Sequence, residues 1–171
     1  MWLTDFHIYL FFELLHKQFP NVNGLCGPAQ IHLYTDSLDN SIFIFNANNN
    51  HWLTISNLDC NNVWKVYDSL NYPKESIIKF FKDILPNEEK VLVSFENVQQ
   101  QIGGNDCGLF ALALATSLCF KNVPSLIHYD QMSLCDHYVK CIENNEIQRF
   151  PSKSKRGRTR NASRLVDLYI N

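Results

Sequence analysis

The stretch Gln101-Ile102-Gly103-Gly104-Asn105-Asp106-Cys107-Gly108-Leu109-Phe110 narrows the choice of fold more than any other, because a glycine-rich turn there runs straight into an uncharged apolar segment ending at Phe120. A segment apolar on every side reads as a buried helix, and the turn sets one cysteine at its mouth. Gly103 and Gly104 permit a tight turn with positive φ, and Asn105 or Asp106 is placed to cap a helix that starts at Cys107. A thiol in the first helical turn meets the positive end of the helix dipole, as a nucleophilic thiolate requires. Gly108 leaves room for another element to approach. A buried structural cysteine, the commonest fate of a free thiol, fits the same features. The rest of the chain therefore has to supply a base, an orienting acid and an oxyanion donor.

With 171 residues, 46% hydrophobic and 19% charged, the chain suits one globular domain with a sizeable core. No apolar run reaches the roughly eighteen residues of a membrane span. The opening from Leu3 to Leu15 contains Asp5 and Glu13 and lacks a basic leader, which argues against a signal peptide. Six cysteines (26, 60, 107, 119, 135 and 141) then read as reduced intracellular thiols. Charge is divided unevenly: residues 1–146 carry a net −8 and residues 147–171 a net +6. An acidic body is a poor nucleic-acid surface.

Periodicity predicts a helix from Trp2 to Phe19, with Thr4 or Asp5 as cap and Pro20 as its end. A short strand is expected at Ala29 to Thr35. Ser41 to Asn46, Trp52 to Ser56 and Val63 to Asp68 read as an antiparallel meander joined by asparagine-rich loops. Pro73 to Leu85 has helical spacing, Lys90 to Phe95 reads as a strand, and a last amphipathic helix is expected from about Asp130 to Glu143. Residues 1–148 then form one folded domain, which carries the candidate nucleophile, and 149–171 a basic, disordered tail. No internal repeat is evident.

His51 opens one predicted strand and Asp68 closes the next, seventeen residues later. That separation suits a hairpin whose strand ends present an imidazole and a carboxylate side by side, the pair that fixes a general base beside a thiol. Taken singly, His51 is as well explained as a loop histidine and Asp68 as a turn cap. A side-chain amide shortly before the nucleophile can donate to the developing oxyanion; Gln101 has the spacing, with Gln99 and Gln100 beside it.

These residues resemble the ubiquitin-like-protein-specific cysteine proteases, the SUMO-processing sentrin-type family related to the adenoviral protease. The resemblance rests on His51-Trp52, Asp68, Gln101-x5-Cys107-Gly108 and Trp2-Leu3-Thr4-Asp5, which is similar to the family's Trp-Leu-Asn-Asp opening. It covers about residues 2 to 143. The order His, Asp, Gln, Cys is a permutation of the papain order. The resemblance implies a papain-like α+β fold with a central, mostly antiparallel sheet and flanking helices. It also implies that Cys107 attacks the carbonyl after a terminal Gly-Gly, that His51 serves as base and then acid, that Asp68 orients it, and that Gln101 with the Cys107 amide forms the oxyanion hole. Trp2 and Trp52 look like the two indoles between which the family threads the Gly-Gly tail; as large aromatics, both also suit a core.

The implied partner is SUMO or a related modifier and its conjugates, with no cofactor. Thr4 departs from the family's Asn, and because the match begins at Trp2 the chain is expected to lack the family's upstream segment. The ending, with Cys141-x-Glu143 and Phe150-Pro151 before basic residues, is similar to family copies in eukaryotic mobile elements. The same residue types would fit a His-Asp-Cys acetyltransferase, which the acidic body disfavours, or an inactive modifier-binding domain. Cys135-x-His137-x3-Cys141 has zinc-like residue types but lies along one helix without a second ligand pair, so no metal is expected. The basic run Lys153 to Arg160 reads as a nuclear-import signal, which favours the nucleus, or as the one segment suited to nucleic acid, within the span 153–164. Asn161-Ala162-Ser163 is a sequon without consequence inside a cell.

Overall fold

Along Ser41–Ala47, aliphatic and aromatic side chains alternate, and the alternation divides them between two cores. Ile42 and Ile44 join one apolar cluster and Phe43 the other, with a β-sheet between. The computed structural model describes residues 1–26, 37–60, 62–155 and 163–171; the strand expected at Ala29 to Thr35 lies outside them. The described residues form helices α1 (Asp5–Gln18), α2 (Ile78–Ile84), α3 (Cys107–Cys119) and α4 (Leu134–Asn144). The strands are β1 (Asn23–Gly24), β2 (Ser41–Ala47), β3 (His51–Ser56), β4 (Trp64–Tyr67), β5 (Lys90–Phe95), β6 (Ile127–Tyr129), β7 (Ser152–Ser154) and β8 (Arg164–Tyr169).

The central sheet runs β1-β2-β3-β4-β5-β8. Its β2-β3-β4 portion is the expected antiparallel meander, β1 and β5 join it in parallel, and β8 pairs antiparallel with β5. The β2–β3 turn explains the asparagine-rich loop, because Asn48 and Asn49 both hold left-handed backbone (φ 53° and 58°), a region that asparagine tolerates better than most residues. This turn makes His51 the first residue of β3.

Helices flank the sheet on both sides. On one face α3 lies across β3, buried along its whole length, with α1 and α4 packed outside it. Thr54 on β3 donates its hydroxyl to the Ala111 carbonyl of α3 (2.8 Å), a buried polar contact that satisfies both groups. On the other face Phe80 and Phe81 of α2 pack on Phe43, Trp64 and Val66. Single 3-10 turns, Lys74–Ile77 and Gln131–Ser133, lead into α2 and α4.

The expectation of a disordered tail over 149–171 is corrected at both ends. Ser152–Ser154 pairs with β6, and Arg164–Tyr169 pairs with β5 across six residue pairs. Leu168 and Ile170 are buried in the core on the α2 side. The physical reason is period-two alternation: Val166, Leu168 and Ile170 fall on one strand face, and they follow directly on the basic run that dominated the composition. Most of that run, 156–162, lies outside the described residues.

Candidate active site

His51 and Asp68 lie next to each other because of strand register. Tyr67 pairs with Thr54 and Val66 with Ile55, so continuing the ladder sets Asp68 across from Leu53, one side-chain repeat from His51 on the same sheet face. The backbone N–H of His51 donates to Asn46 Oδ1 (3.2 Å), which ties the strand start to the turn. The imidazole is fully buried, and its Nε2 donates to Asp68 Oδ1 at 2.5 Å. The chain after Asp68 wraps around the same carboxylate: Leu70 N–H donates to Oδ1 (2.9 Å) and Tyr72 N–H to Oδ2 (2.8 Å). The Tyr72 ring then stacks on the imidazole, with centroids 4.0 Å apart and planes at 27°.

Burial alone would push the His51 pKa down. The hydrogen bonds and negative charges of Asp68 and Cys107 outweigh it, raising the pKa from 6.5 to about 9. The ring is therefore an imidazolium at neutral pH. With Nε2 committed to Asp68, Nδ1 faces the remaining partner. It is buried without a well-aligned hydrogen bond among the described residues, and Cys107 is close enough to act on the ring through hydrogen bonding and charge. The pair is positioned for proton exchange without being locked together.

Cys107 begins α3, as the turn composition predicts. Only one of the two glycines takes up the left-handed region: Gly103 has φ +79°, whereas Gly104 does not and borders open space. Asp106 occupies the N-cap position but makes no side-chain cap bond, contrary to expectation. Its carboxylate turns instead to Gln131 Nε2 (2.9 Å), and Gln131 also pairs with the Ile102 backbone in both directions (2.9 Å each). The loop before the thiol is thus fastened to the start of α4. Gly108 marks a close approach, since a Cβ there would sit 3.0 Å from Leu3 Cβ.

The three adjacent glutamines have separate roles. Gln99 clamps the Tyr129 backbone, donating to its carbonyl (3.1 Å) and accepting from its N–H (2.6 Å). Gln100 Nε2 donates to the carbonyls of Asp68 (3.0 Å) and Val98 (3.1 Å), so both of its amide protons are taken. Gln101 is buried; its Oε1 accepts from the Ser69 hydroxyl (2.5 Å) and its Nε2 donates one proton to the Gly103 carbonyl (3.0 Å). A primary amide has two such protons. Gln101 therefore keeps a donor for an oxyanion, and Gln100 does not.

The two indoles expected to wall a slot are unequally exposed. Trp52 is a core residue, 1% exposed, whose indole N–H donates to the Leu3 carbonyl (3.0 Å). It points from β3 toward α3, opposite in parity to His51, so it has no open face. Trp2 is 41% exposed and is the indole of the two with open aromatic surface. Of the zinc-like residues, His137 Nε2 lies 2.8 Å from the Gln148 carbonyl and 3.4 Å from Cys141 Sγ, and no cluster of three metal-binding side chains exists among the described residues. The contributions of Ser69, Tyr72, Gln100 and Gln131 were not foreseen from the sequence. The pattern Asp68-Ser69-Leu70-Asn71-Tyr72 does hint at an Asp-centred turn, but nothing local signals the ring stacking.

No helix among the described residues is long and apolar enough to cross a membrane. No protein-family model matches the chain, and no curated protein is similar to it in sequence. Solved structures are similar to it. The C-terminal protease domain of Ulp1 in complex with Smt3, the yeast ortholog of SUMO, superposes with a TM-score of 0.61 at 15% identity, over 84% of this chain and 77% of that one. Ulp1 with its catalytic cysteine oxidised to a sulfenic acid gives 0.63 at 15% identity, over 84% and 78%. These neighbours are structures of the SUMO protease Ulp1, which has a catalytic cysteine, and at this identity the likeness establishes architecture: the chain has the α+β fold of Ulp1, with a mostly antiparallel central sheet and flanking helices.

Proposed function

We propose that this protein is a cysteine-type peptidase or isopeptidase that cleaves after the C-terminal Gly-Gly of SUMO or a related ubiquitin-like modifier. The observation behind this reading is the buried His51, held by Asp68 through Nε2 and leaving Nδ1 to the thiol that opens α3. In this mechanism the Cys107 proton passes to His51, the thiolate sulfur attacks the carbonyl carbon of the terminal glycine, and the C=O electron pair moves onto oxygen. The oxyanion accepts hydrogen bonds from the Cys107 N–H and the free Gln101 Nε2 proton. As the tetrahedral species collapses, the C–N bond breaks and the imidazolium gives its proton to the departing amine, leaving a thioester. Water then attacks the thioester while His51 takes its proton, and the thiol and modifier carboxylate are released.

The exposed Trp2 indole would line the path of the Gly-Gly tail. The likeness to Ulp1 supports the modifier class, because that protease is seen bound to Smt3. Residues 1–148 would supply the chemistry together with β8. The basic segment from Lys153 is proposed as a nuclear-import signal and as the part of the chain suited to nucleic acid.

The test presents a panel of Gly-Gly modifiers, each ending in a C-terminal electrophile, to wild type and to Cys107→Ala. The expected result is a covalent adduct with a SUMO-like member that disappears in the variant. A folded wild type forming no adduct with any modifier would defeat the proposal; an adduct surviving Cys107→Ala would mean a different nucleophile.

A further inference from the structure

The structure assigns Ser69 as a positioning residue that anchors the oxygen end of the Gln101 amide, holding it with nitrogen rather than oxygen toward the oxyanion. This inference rests on the proposed oxyanion role of Gln101. An amide side chain is nearly symmetric in shape, and its two orientations differ only in which polar atom lies where. With Nε2 toward the thiol it donates to an oxyanion; with Oε1 there it repels one. The Gly103 carbonyl selects the orientation, and the Ser69 hydroxyl, able to donate or accept, anchors the oxygen end so selected. The Ser69 hydroxyl lies 2.5 Å from Oε1, and Nε2 lies 3.0 Å from the Gly103 carbonyl, which can only accept. Reversing the amide would set two oxygens against each other at Gly103.

Ser69 is well placed to hold its hydroxyl still. It is buried, it follows Asp68 directly, and its own carbonyl accepts from the Gln101 N–H (2.9 Å). One step along, Gln100 Nε2 donates to the Asp68 carbonyl (3.0 Å). The segment bearing the acid and the segment bearing the oxyanion donor are therefore zipped together, by two side chains and one backbone bond, where β4 and β5 end. A hydroxyl donating to a carbonyl oxygen also polarises the amide and strengthens its N–H as a donor. Ser69 links the half of the site that orients His51 to the half that receives the charge.

The experiment compares Ser69→Ala, Ser69→Thr, Gln101→Ala and the double variant Ser69→Ala/Gln101→Ala, using the modifier substrate found in the adduct assay. Alongside, NMR follows the Gln101 side-chain amide signals in wild type, Ser69→Ala and Ser69→Thr without substrate. Expected are a roughly tenfold fall in kcat for Ser69→Ala with KM little changed, recovery in Ser69→Thr, and no additional loss when Ser69→Ala is added to Gln101→Ala. The Gln101 amide protons should shift and exchange faster with water in Ser69→Ala alone. A purely structural role would predict losses that multiply in the double variant and an unmoved amide signal, and either result overturns the assignment. Should no modifier react with wild type, the protease reading fails by itself; the amide signals still judge Ser69, and unchanged signals in Ser69→Ala refute it. Ser69→Thr retains the hydroxyl and guards against misreading a folding defect.

Discussion

Replacing Asp68 by Asn tests the electrostatic centre of the site through stability as well as activity. His51 is fully buried, and its pKa stands at about 9 against 6.5 for the free side chain. At about 1.4 kcal/mol per pH unit, that difference amounts to about 3 kcal/mol favouring the protonated ring in the folded state. The raised pKa fixes the sign. The stabilisation is complete below pH 6.5, where folded and unfolded rings are both protonated, and is lost as pH climbs from 6.5 through 9. In Asp68→Asn, burial opposes the charge and only the influence of Cys107 still favours it, so the alkaline loss should shrink to below about 1 kcal/mol. Urea unfolding followed by circular dichroism from pH 6 to 9.5 measures both curves. Their difference cancels other groups that titrate in the window. Parallel curves would refute the account of His51, as would an imidazole seen by NMR to titrate near 6.5 in wild type. Because the neutral amide no longer stabilises the imidazolium, kcat should fall by about a thousandfold.

Other perturbations have separate signatures. Gln101→Ala should lower kcat by about a hundredfold with KM almost unchanged, whereas Gln100→Ala, whose amide protons are already used, should mainly lower the unfolding temperature. Trp2→Ala is expected to raise KM for a Gly-Gly substrate several-fold and leave stability nearly unaltered; Trp52→Ala should cost about 3–5 kcal/mol in urea unfolding, as for a core aromatic. Gly108→Ala drives a methyl group against Leu3 at 3.0 Å and should destabilise by about 1–3 kcal/mol. Removing residues 163–171 uncovers β5 and empties the places of Leu168 and Ile170, so the shortened protein should aggregate or unfold cooperatively at lower urea, an outcome that a disordered tail would not produce.

Much of this protein follows from its sequence alone, and local chemistry explains why. The apolar run from Leu109 requires a helix buried on every side, Gly103 provides the left-handed residue before it, and paired asparagines make the turn that starts β3 at His51. Period-two patterns marked β2 to β5, and the same pattern in Val166, Leu168 and Ile170 was present but lay behind a basic run. Candidate catalytic types could be chosen at His51, Asp68, Gln101 and Cys107 because each needs only a residue type and a spacing.

What tertiary structure decided is which groups still have something to give. Three consecutive glutamines are alike in sequence, yet Gln99 clamps the Tyr129 backbone with both ends of its amide, Gln100 spends both amide protons on the Asp68 and Val98 carbonyls, and Gln101 donates one proton to the Gly103 carbonyl and keeps the other. Trp52 reads as slot wall, with core as the alternative, until strand parity turns it toward α3. The Tyr72 ring over His51, and the Ser69 hydroxyl on Gln101, join residues whose proximity depends on strand register and on the path of a loop. Hydrogen-bond capacity is limited, and a chain can show which groups possess it. Which of those groups remain unpaired after folding depends on contacts between distant segments, and no local pattern records them.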